Sequence, residues 1–277
     1  MPKASGTEFR FNQSDFRFIA DFIGTRTGIV LGDVKRDLVY GRLAKRIRQL
    51  GLSSFSEYCD LLASDQDEEI EYCVNALTTN LTAFFREPHH FRRLEEQVIP
   101  DLMERKQDRE LRIWSAGCST GEEAYSIACT AHNCLPQDWD IKVLATDLDT
   151  NVLNTAAAGI YKLDRLAGVD QKLLQRYFLK GTGSRAGMVR IKPEIRGLIH
   201  FQRLNLLDPW PMKKCFDIIF CRNVVIYFNK DTQRTLFGRF ADQLQKSSYL
   251  FIGHAETLHN VSERFELTGN TIYRRVS

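Results

Sequence analysis

Apolar positions in the first ninety residues recur at helical spacing. Phe16, Ile19, Phe22 and Ile23 share one face of a helix, and Gly24 and Gly28 mark a break after it. A second helix is predicted from about Val34 to Leu50, ending at Gly51, with Val39, Leu43, Ile47 and Leu50 in one stripe. Lys35, Arg42, Lys45 and Arg46 lie on the adjacent stripe. From Lys35 to Leu50 there are six basic residues and one acid. A third helix is capped by Ser53 or Ser54 and carries Phe55, Tyr58, Leu61 and Leu62. The acidic run Asp65 to Glu71 opens a fourth.

From Leu111 the pattern changes. Short apolar runs, LRIWS, IKVLAT, LIHFQRLN, FDIIFCRN and YLFIGHA, alternate with helical stretches such as Glu122–Asn133 and Lys230–Gln245. Strands alternating with helices predict an α/β fold with a mainly parallel sheet covered on both faces. The last run, TIYRRV, follows a connection of weak helical character and is predicted to be an antiparallel edge strand. About forty residues separate the helix near Val152–Ala158 from the strand at Leu198. They hold a helix, Gln171–Phe178, and two β-like runs around a Gly-rich turn, FLKGTGSRAGMVRIK, which predict a hairpin in an inserted subdomain. Such an insertion suits a partner surface.

Composition narrows the function classes. The 277 residues are 43% hydrophobic and 26% charged, with a net charge of +3. That balance supports a sizeable core and is too small for a nucleic-acid-binding polycation. There is no apolar run of membrane-spanning length, and the N-terminal stretch lacks the apolar centre of a signal peptide. Residues 1–14 are expected to be a disordered tail. The seven cysteines are odd in number and form no Cys-x-x-Cys pair. Buried reduced thiols and a cytoplasmic location are expected, with no metal. His89 and His90 are adjacent, which suits joint metal ligation in a helix poorly.

Chemistry is concentrated at predicted strand ends. In IWSAGCSTGEEAYSIA, Gly117 and Gly121 bracket a strand-to-helix turn. The spacing matches neither the dinucleotide fingerprint nor a P-loop. Glu122 and Glu123 follow, suiting the helix dipole and repelling a phosphate. Asp147 ends the next strand, where an acid holds ribose hydroxyls or caps the following helix, a role Asp149 also fits. A phosphate-free turn beside a ribose-type acid points to S-adenosylmethionine. Asn205 and Asn223 stand at the ends of two later strands, where an asparagine offers donor and acceptor to a ligand or simply shapes a turn.

The segments TTNLTAFFRE, WSAGCSTGEEAYSI, ATDLDTNVL, RYFLKGTG, FCRNVVIYF and GHAETL together resemble the CheR family of chemotaxis receptor methyltransferases, over about Phe16 to Tyr273. The resemblance implies a small all-α domain (15–75), an interdomain linker (76–95) contributing to the cofactor site, and a Rossmann-like class I methyltransferase domain (96–277) with a mainly parallel sheet and a small antiparallel β subdomain inserted at about 164–197. It implies methyl transfer from S-adenosylmethionine to chemoreceptor glutamates, giving a γ-methyl ester and S-adenosylhomocysteine, in sensory adaptation. By resemblance, Asn80, Thr82, Arg86, Glu123, Asp147, Asn205, Leu206, Asn223 and Val224 match cofactor positions, and Arg86 and Tyr227 are the orienting catalytic candidates. The segment around Phe84 and Phe85 would form a polar lid with an apolar underside.

The partner implied is the chemoreceptor cytoplasmic domain, contacted by Lys35, Arg42, Lys45 and Arg46. The hairpin residues Gly181, Gly183, Gly187 and Arg190 match a mode in which a receptor C-terminal pentapeptide adds a strand. Neither nucleic acid nor membrane insertion is expected; a cytoplasmic monomer recruited to receptor arrays is. Two other readings compete. A nucleic-acid or small-molecule methyltransferase lacks support because RNVVIYF stands where an Asp/Asn-Pro-Pro-Tyr/Phe motif would. A non-enzymatic adaptor conflicts with the presence of Asn80, Arg86, Glu123, Asp147 and Asn223 together.

Overall fold

A computed structural model describes residues 8–277 as two compact units. One holds the chain up to Thr79 together with Tyr227–Asn229, and the other holds Asn80–Ile226 and Lys230–Ser277.

The first unit is built on helices α1 (Gln13–Thr27), α2 (Arg36–Gln49), α3 (Phe55–Ala63) and α4 (Asp67–Leu77). Phe16, Ile19, Phe22 and Ile23 are buried as the spacing predicts. Gly24 does not break α1; the helix ends at Gly28, whose φ of 75° supplies the left-handed cap. In α2 the stripe Val39, Leu43 and Ile47 is buried, but Leu50 lies beyond the helix end and is exposed. Ser54 caps α3 by accepting the Glu57 N–H at 3.2 Å. The expected tail is corrected from residue 8 onward; residues 1–7 lie outside the described residues. Phe9 is buried and Phe11 packs 4.1 Å from Phe55, so this aromatic pair ties the segment down.

The second unit has a seven-stranded sheet. In chain order its strands are β1 (Glu110–Ala116), β2 (Asp140–Asp147), β6 (Ile199–Arg203), β7 (Phe216–Cys221), β8 (Leu244–Ile252), β9 (Phe265–Gly269) and β10 (Ile272–Arg275). The spatial order is β6-β2-β1-β7-β8-β10-β9. The first five run parallel, and β10 and β9 are antiparallel. Helices α7 (Glu122–Cys134), α8 (Thr150–Ala158) and α11 (Lys230–Gln243) make the crossovers. The order reverses between β1 and β7, so their C-terminal ends open the crevice where such sheets bind ligands. The edge strand is β9, not β10 as expected. Asn270 and Thr271 both take positive φ, as a two-residue type I′ hairpin turn requires, and this turn folds β9 outside β10.

A second sheet, order β3-β5-β4, joins β3 (Ile160–Lys162), β4 (Phe178–Lys180) and β5 (Met188–Ile191), all antiparallel. The hairpin is thus formed as predicted, with α9 (Gln171–Tyr177) before it. The insertion starts earlier than expected because β3 begins directly after Gly159. The 76–95 linker is also not one element. It holds the end of α4, the irregular stretch 78–87, and α5 (Pro88–Arg93), which continues through a π turn (Leu94–Val98) into α6 (Ile99–Arg105).

The core of this unit centres on the β7–β8 pair, where Phe220 and Phe251 stack with centroids 4.2 Å apart and neither ring reaches solvent. Phe251→Ala is expected to cost about 3–5 kcal/mol, the range for emptying a packed aromatic site. Urea unfolding measures it; a loss below about 1 kcal/mol would show that the sheet does not depend on this pair.

Candidate functional site

The turn after β1 consumes its own amides. Gly117 and Cys118 N–H both donate to the Thr146 carbonyl, at 2.8 and 2.9 Å. Ser119 N–H donates to Asp147 Oδ2 at 2.7 Å. Gly117, Ser119 and Gly121 take φ of 88°, 50° and 94°. A Cβ on Gly117 would lie 2.4 Å from Val224 Cγ2, and one on Gly121 would lie 2.7 Å from the Ala156 Cβ. Glycine is needed at both positions because neighbouring chain approaches so closely.

Asp147 stands at the end of β2, as predicted. Its Oδ1 accepts the Asp149 N–H at 3.0 Å. Burial pushes its carboxyl above the ordinary range, against the Asp149 and Ser119 amides. Asp149 is the residue that caps α8, accepting Asn151 N–H.

The irregular stretch 80–87 belongs to this unit and is fastened to the turn. Asn80 Nδ2 donates to Asp149 Oδ2 at 2.7 Å, and the Asn80 carbonyl accepts from Ser119 Oγ at 2.8 Å. The Thr82 carbonyl accepts from Arg165 at 3.0 Å, and Phe85 N–H donates to Ser126 Oγ at 2.9 Å. Phe84 is buried edge-on against Tyr161 and Phe178, while Phe85 is half-buried against Phe91. Phe84 therefore belongs to the core of this one unit. Arg86, half-buried, donates one N–H to the Leu81 carbonyl at 2.8 Å. Phe85 and Glu87 on either side of it both have positive φ, 52° and 58°.

Glu122 and Glu123 are both buried and paired inside the fold. Glu122 meets Arg165 and accepts Thr120 Oγ1; Glu123 accepts Ser115 Oγ at 2.7 Å and Arg222 Nη1 at 3.2 Å. Burial raises the Glu123 carboxyl, with Arg222 opposing. Arg222, at the end of β7, also donates to the Arg86 carbonyl and lies 3.6 Å from Glu87. Glu87 in turn meets His254 Nδ1 at 3.0 Å and His90 Nδ1 at 3.5 Å. Burial works against its charge, yet His254 and Arg222 hold its carboxyl below the ordinary range. Donor atoms of Glu87, His89 and His90 fall within 4.8 Å of one another, on the same carboxylate that faces the Arg222 cation.

Asn205 shapes a turn after β6: its Oδ1 accepts Leu207 N–H and its Nδ2 donates to Asp208. Leu206 is buried beside it. Asn223 has a φ of 58° and packs its side chain on Gly253. Val224 sits over Gly117, so the post-β7 and post-β1 turns meet.

The remaining predicted residues lie elsewhere. In the helical unit, Arg46 pairs with the buried Glu69, Arg42 donates to the Ala76 and Thr78 carbonyls, Lys35 stands 5.1 Å over the Tyr227 ring, and Lys45 is exposed. The Tyr227 carbonyl accepts Val30 N–H at 2.9 Å. In the hairpin, Gly183, Gly187 and Arg190 are exposed, and a Cβ on Gly181 would meet the Arg185 carbonyl oxygen at 2.1 Å. Sequence reasoning missed Arg222, Arg165, Ser119 and Glu87. Arg222 stands next to Asn223 in a strand-end motif, and that adjacency was the available signal.

The sequence profile of the CheR methyltransferase SAM-binding domain matches residues 80–274, and that of the CheR all-alpha domain matches residues 14–78. A chemotaxis protein methyltransferase of Salmonella typhimurium is 46% identical over 267 residues, covering 95% of this chain and 90% of the relative. The Escherichia coli protein of that name is 45% identical, with 95% and 91% covered. A chemotaxis protein methyltransferase 2 of Pseudomonas aeruginosa is 43% identical, with 98% and 96% covered.

One pH dependence follows from this network. His90 is fully buried, and burial together with the Arg222 charge lowers its pKa to about 4. The unfolded chain takes up that proton near pH 6.5 and the folded chain not until about pH 4, so acidification through this window favours unfolding. The loss reaches on the order of 3 kcal/mol at the low end. Urea midpoints between pH 7 and 5 check it: the wild type should lose stability faster than His90→Asn, and equal slopes would assign the effect to other groups.

Proposed function

The chain belongs to the CheR methyltransferase family, and on that premise we propose that it transfers a methyl group from S-adenosylmethionine to glutamate γ-carboxylates of chemoreceptors. The observation that carries the cofactor side is the fate of the turn amides. A phosphate site needs free N–H groups at the helix start, whereas here Gly117, Cys118 and Ser119 give theirs to Thr146 and Asp147. The helix opens on two carboxylates instead. A turn whose amides are spent, opening on acids paired within the fold, fits a ligand with ribose hydroxyls and no phosphate.

Asp147 would hold the ribose. Asn80, Thr82, Glu123, Asn205, Leu206, Asn223 and Val224 would line the rest. When bound, the cofactor supplies a methyl group on a sulfonium. The protein's task is then placement. A glutamate carboxylate is ionised at pH 7, so no general base is required. Arg86 would orient that carboxylate: one N–H is spent on Leu81 and a guanidinium has five. The short strained link, with positive φ on both sides of Arg86, limits where the guanidinium can go. Tyr227 is the second orienting group. Positioning in a dry site favours a reaction that neutralises charge.

The receptor is met in two places. Lys35, Arg42, Lys45 and Arg46 supply a basic helix face, of which Lys45 is the most open and Arg46 the most committed to an internal partner. The inserted sheet offers β4 as an edge, where Leu179 is exposed, for an added pentapeptide strand. Cytoplasmic recruitment to receptor arrays follows from that partner.

Transfer of labelled methyl groups to receptor-containing membranes tests the reaction. Label released by mild alkali as volatile methanol is expected; alkali-stable label would sink the carboxylate reading. Arg86→Ala should lower kcat/KM at least a hundredfold, and unchanged turnover and cofactor affinity would remove Arg86 from the site. A free pentapeptide of the Asn/Gly-Trp-Glu-x-Phe type is expected to bind the wild type in a fluorescence titration and to bind Gly181→Val at least tenfold more weakly. No binding at millimolar peptide would contradict tethering.

A further inference from the structure

Glu256 is 5% exposed and lies outside every strand and helix, four residues after β8. Its carboxylate receives four backbone N–H groups. Oε2 accepts from Gly253 at 2.6 Å and Asn223 at 2.9 Å; Oε1 accepts from Val225 at 3.0 Å and Ile226 at 3.4 Å. A carboxylate has about four lone-pair sites, so this one is filled, two donors to each oxygen. Three of the four donors belong to one short segment, 223–226, directly after β7. That segment has no ladder to hold it. Asn223 adopts a left-handed φ of 58°, and Gln233 Nε2 fixes the Val225 carbonyl at 2.8 Å.

We propose that Glu256 is a positioning residue for the cofactor: its carboxylate is the template on which the 223–226 segment is folded, and so sets where Asn223 and Val224 stand. The role rests on the reading of Asn223 and Val224 as cofactor-site residues. Gly253 serves the same arrangement, because a Cβ there would lie 2.5 Å from Asn223 Nδ2 and 2.9 Å from Asn223 N. Val224 carries the effect onward, since it fills the space above Gly117 in the post-β1 turn. One buried acid on the β8 side thereby registers two ligand-facing turns against each other.

The chemistry is selective for a carboxylate. A glutamine has the same reach, but its amide nitrogen donates and faces two N–H donors. Two buried N–H groups would lose their acceptor, and the segment would leave its fold to find water. An aspartate keeps the charge and falls one methylene short.

The test uses the full-length protein. S-adenosylhomocysteine affinity by calorimetry and amide exchange by mass spectrometry are measured for wild type, Glu256→Gln and Asn223→Ala. In the wild type the amides of Asn223, Val225 and Ile226 should exchange as slowly as strand amides; loop-like exchange overturns the proposal even if no variant folds. Glu256→Gln should raise Kd at least tenfold and speed exchange at 223–226 while β1 and β2 keep their protection. Unchanged Kd in Glu256→Gln, beside a weakened Asn223→Ala, overturns the role of Glu256 alone. Unchanged Kd in Asn223→Ala overturns the cofactor-site reading of the segment, and the role of Glu256 with it. Loss of protection throughout the sheet in Glu256→Gln would make the residue a general fold determinant and contradict a local template.

Discussion

A guanidinium almost without access to water joins the chain segments around the crevice. Arg222, at the end of β7, meets Glu123 at the start of α7 and the Arg86 carbonyl, and lies near Glu87 ahead of α5. Each partner alone would be costly to bury: a desolvated carboxylate or guanidinium loses several kcal/mol of hydration. Together they offset part of that cost, although Arg222 Nε and Glu87 Oε2 are buried without a hydrogen-bond partner, and the pairing becomes a constraint. The strained turn carrying Arg86 stays folded because Arg222 binds its carbonyl and Ser126 binds the Phe85 amide behind it.

The same economy of polar groups determines what the crevice can bind. The sheet reverses its strand order at β1 and β7, a place where many α/β proteins hold phosphates. Here the amides that would do so are spent inside the fold, and the acids at the helix start are themselves paired. The glycines of the turn, Gly117 and Gly121, are taken up in the same way by Val224 and Ala156 packed against them. The CheR family supplies the reaction for which such a site is fitted. A carboxylate nucleophile and a sulfonium need no proton relay, so the task left to the protein is orientation.

Much of this was readable in the residues. The helix faces of α1 and α2, the parallel strands, the hairpin at 178–191 and the strand-end positions of Asp147, Asn205 and Asn223 all follow from local periodicity and turn chemistry. Errors arose where a distant contact overrides the local pattern. Leu50 is in phase with its stripe but lies past the helix end. Strand β9 has weak local signal and is defined by pairing with β10. Phe11 reads as a tail residue because the ring it packs on, Phe55, is over forty positions away. The Arg165 partner of Glu122 and the Arg222 partner of Glu123 were invisible for the same reason. A buried ion pair between residues 123 and 222 leaves no periodic trace in the chain.

The central claim is that Asp147 and the phosphate-free turn after β1 hold a nucleoside with a cationic or thioether tail. A crystal structure of the protein with S-adenosylhomocysteine tests it most directly. Ribose hydroxyls are expected within about 3 Å of the Asp147 carboxylate, with the homocysteine portion beneath the 80–87 segment. A ribose bound away from Asp147, or turn amides released from Thr146 to contact the ligand, would contradict it.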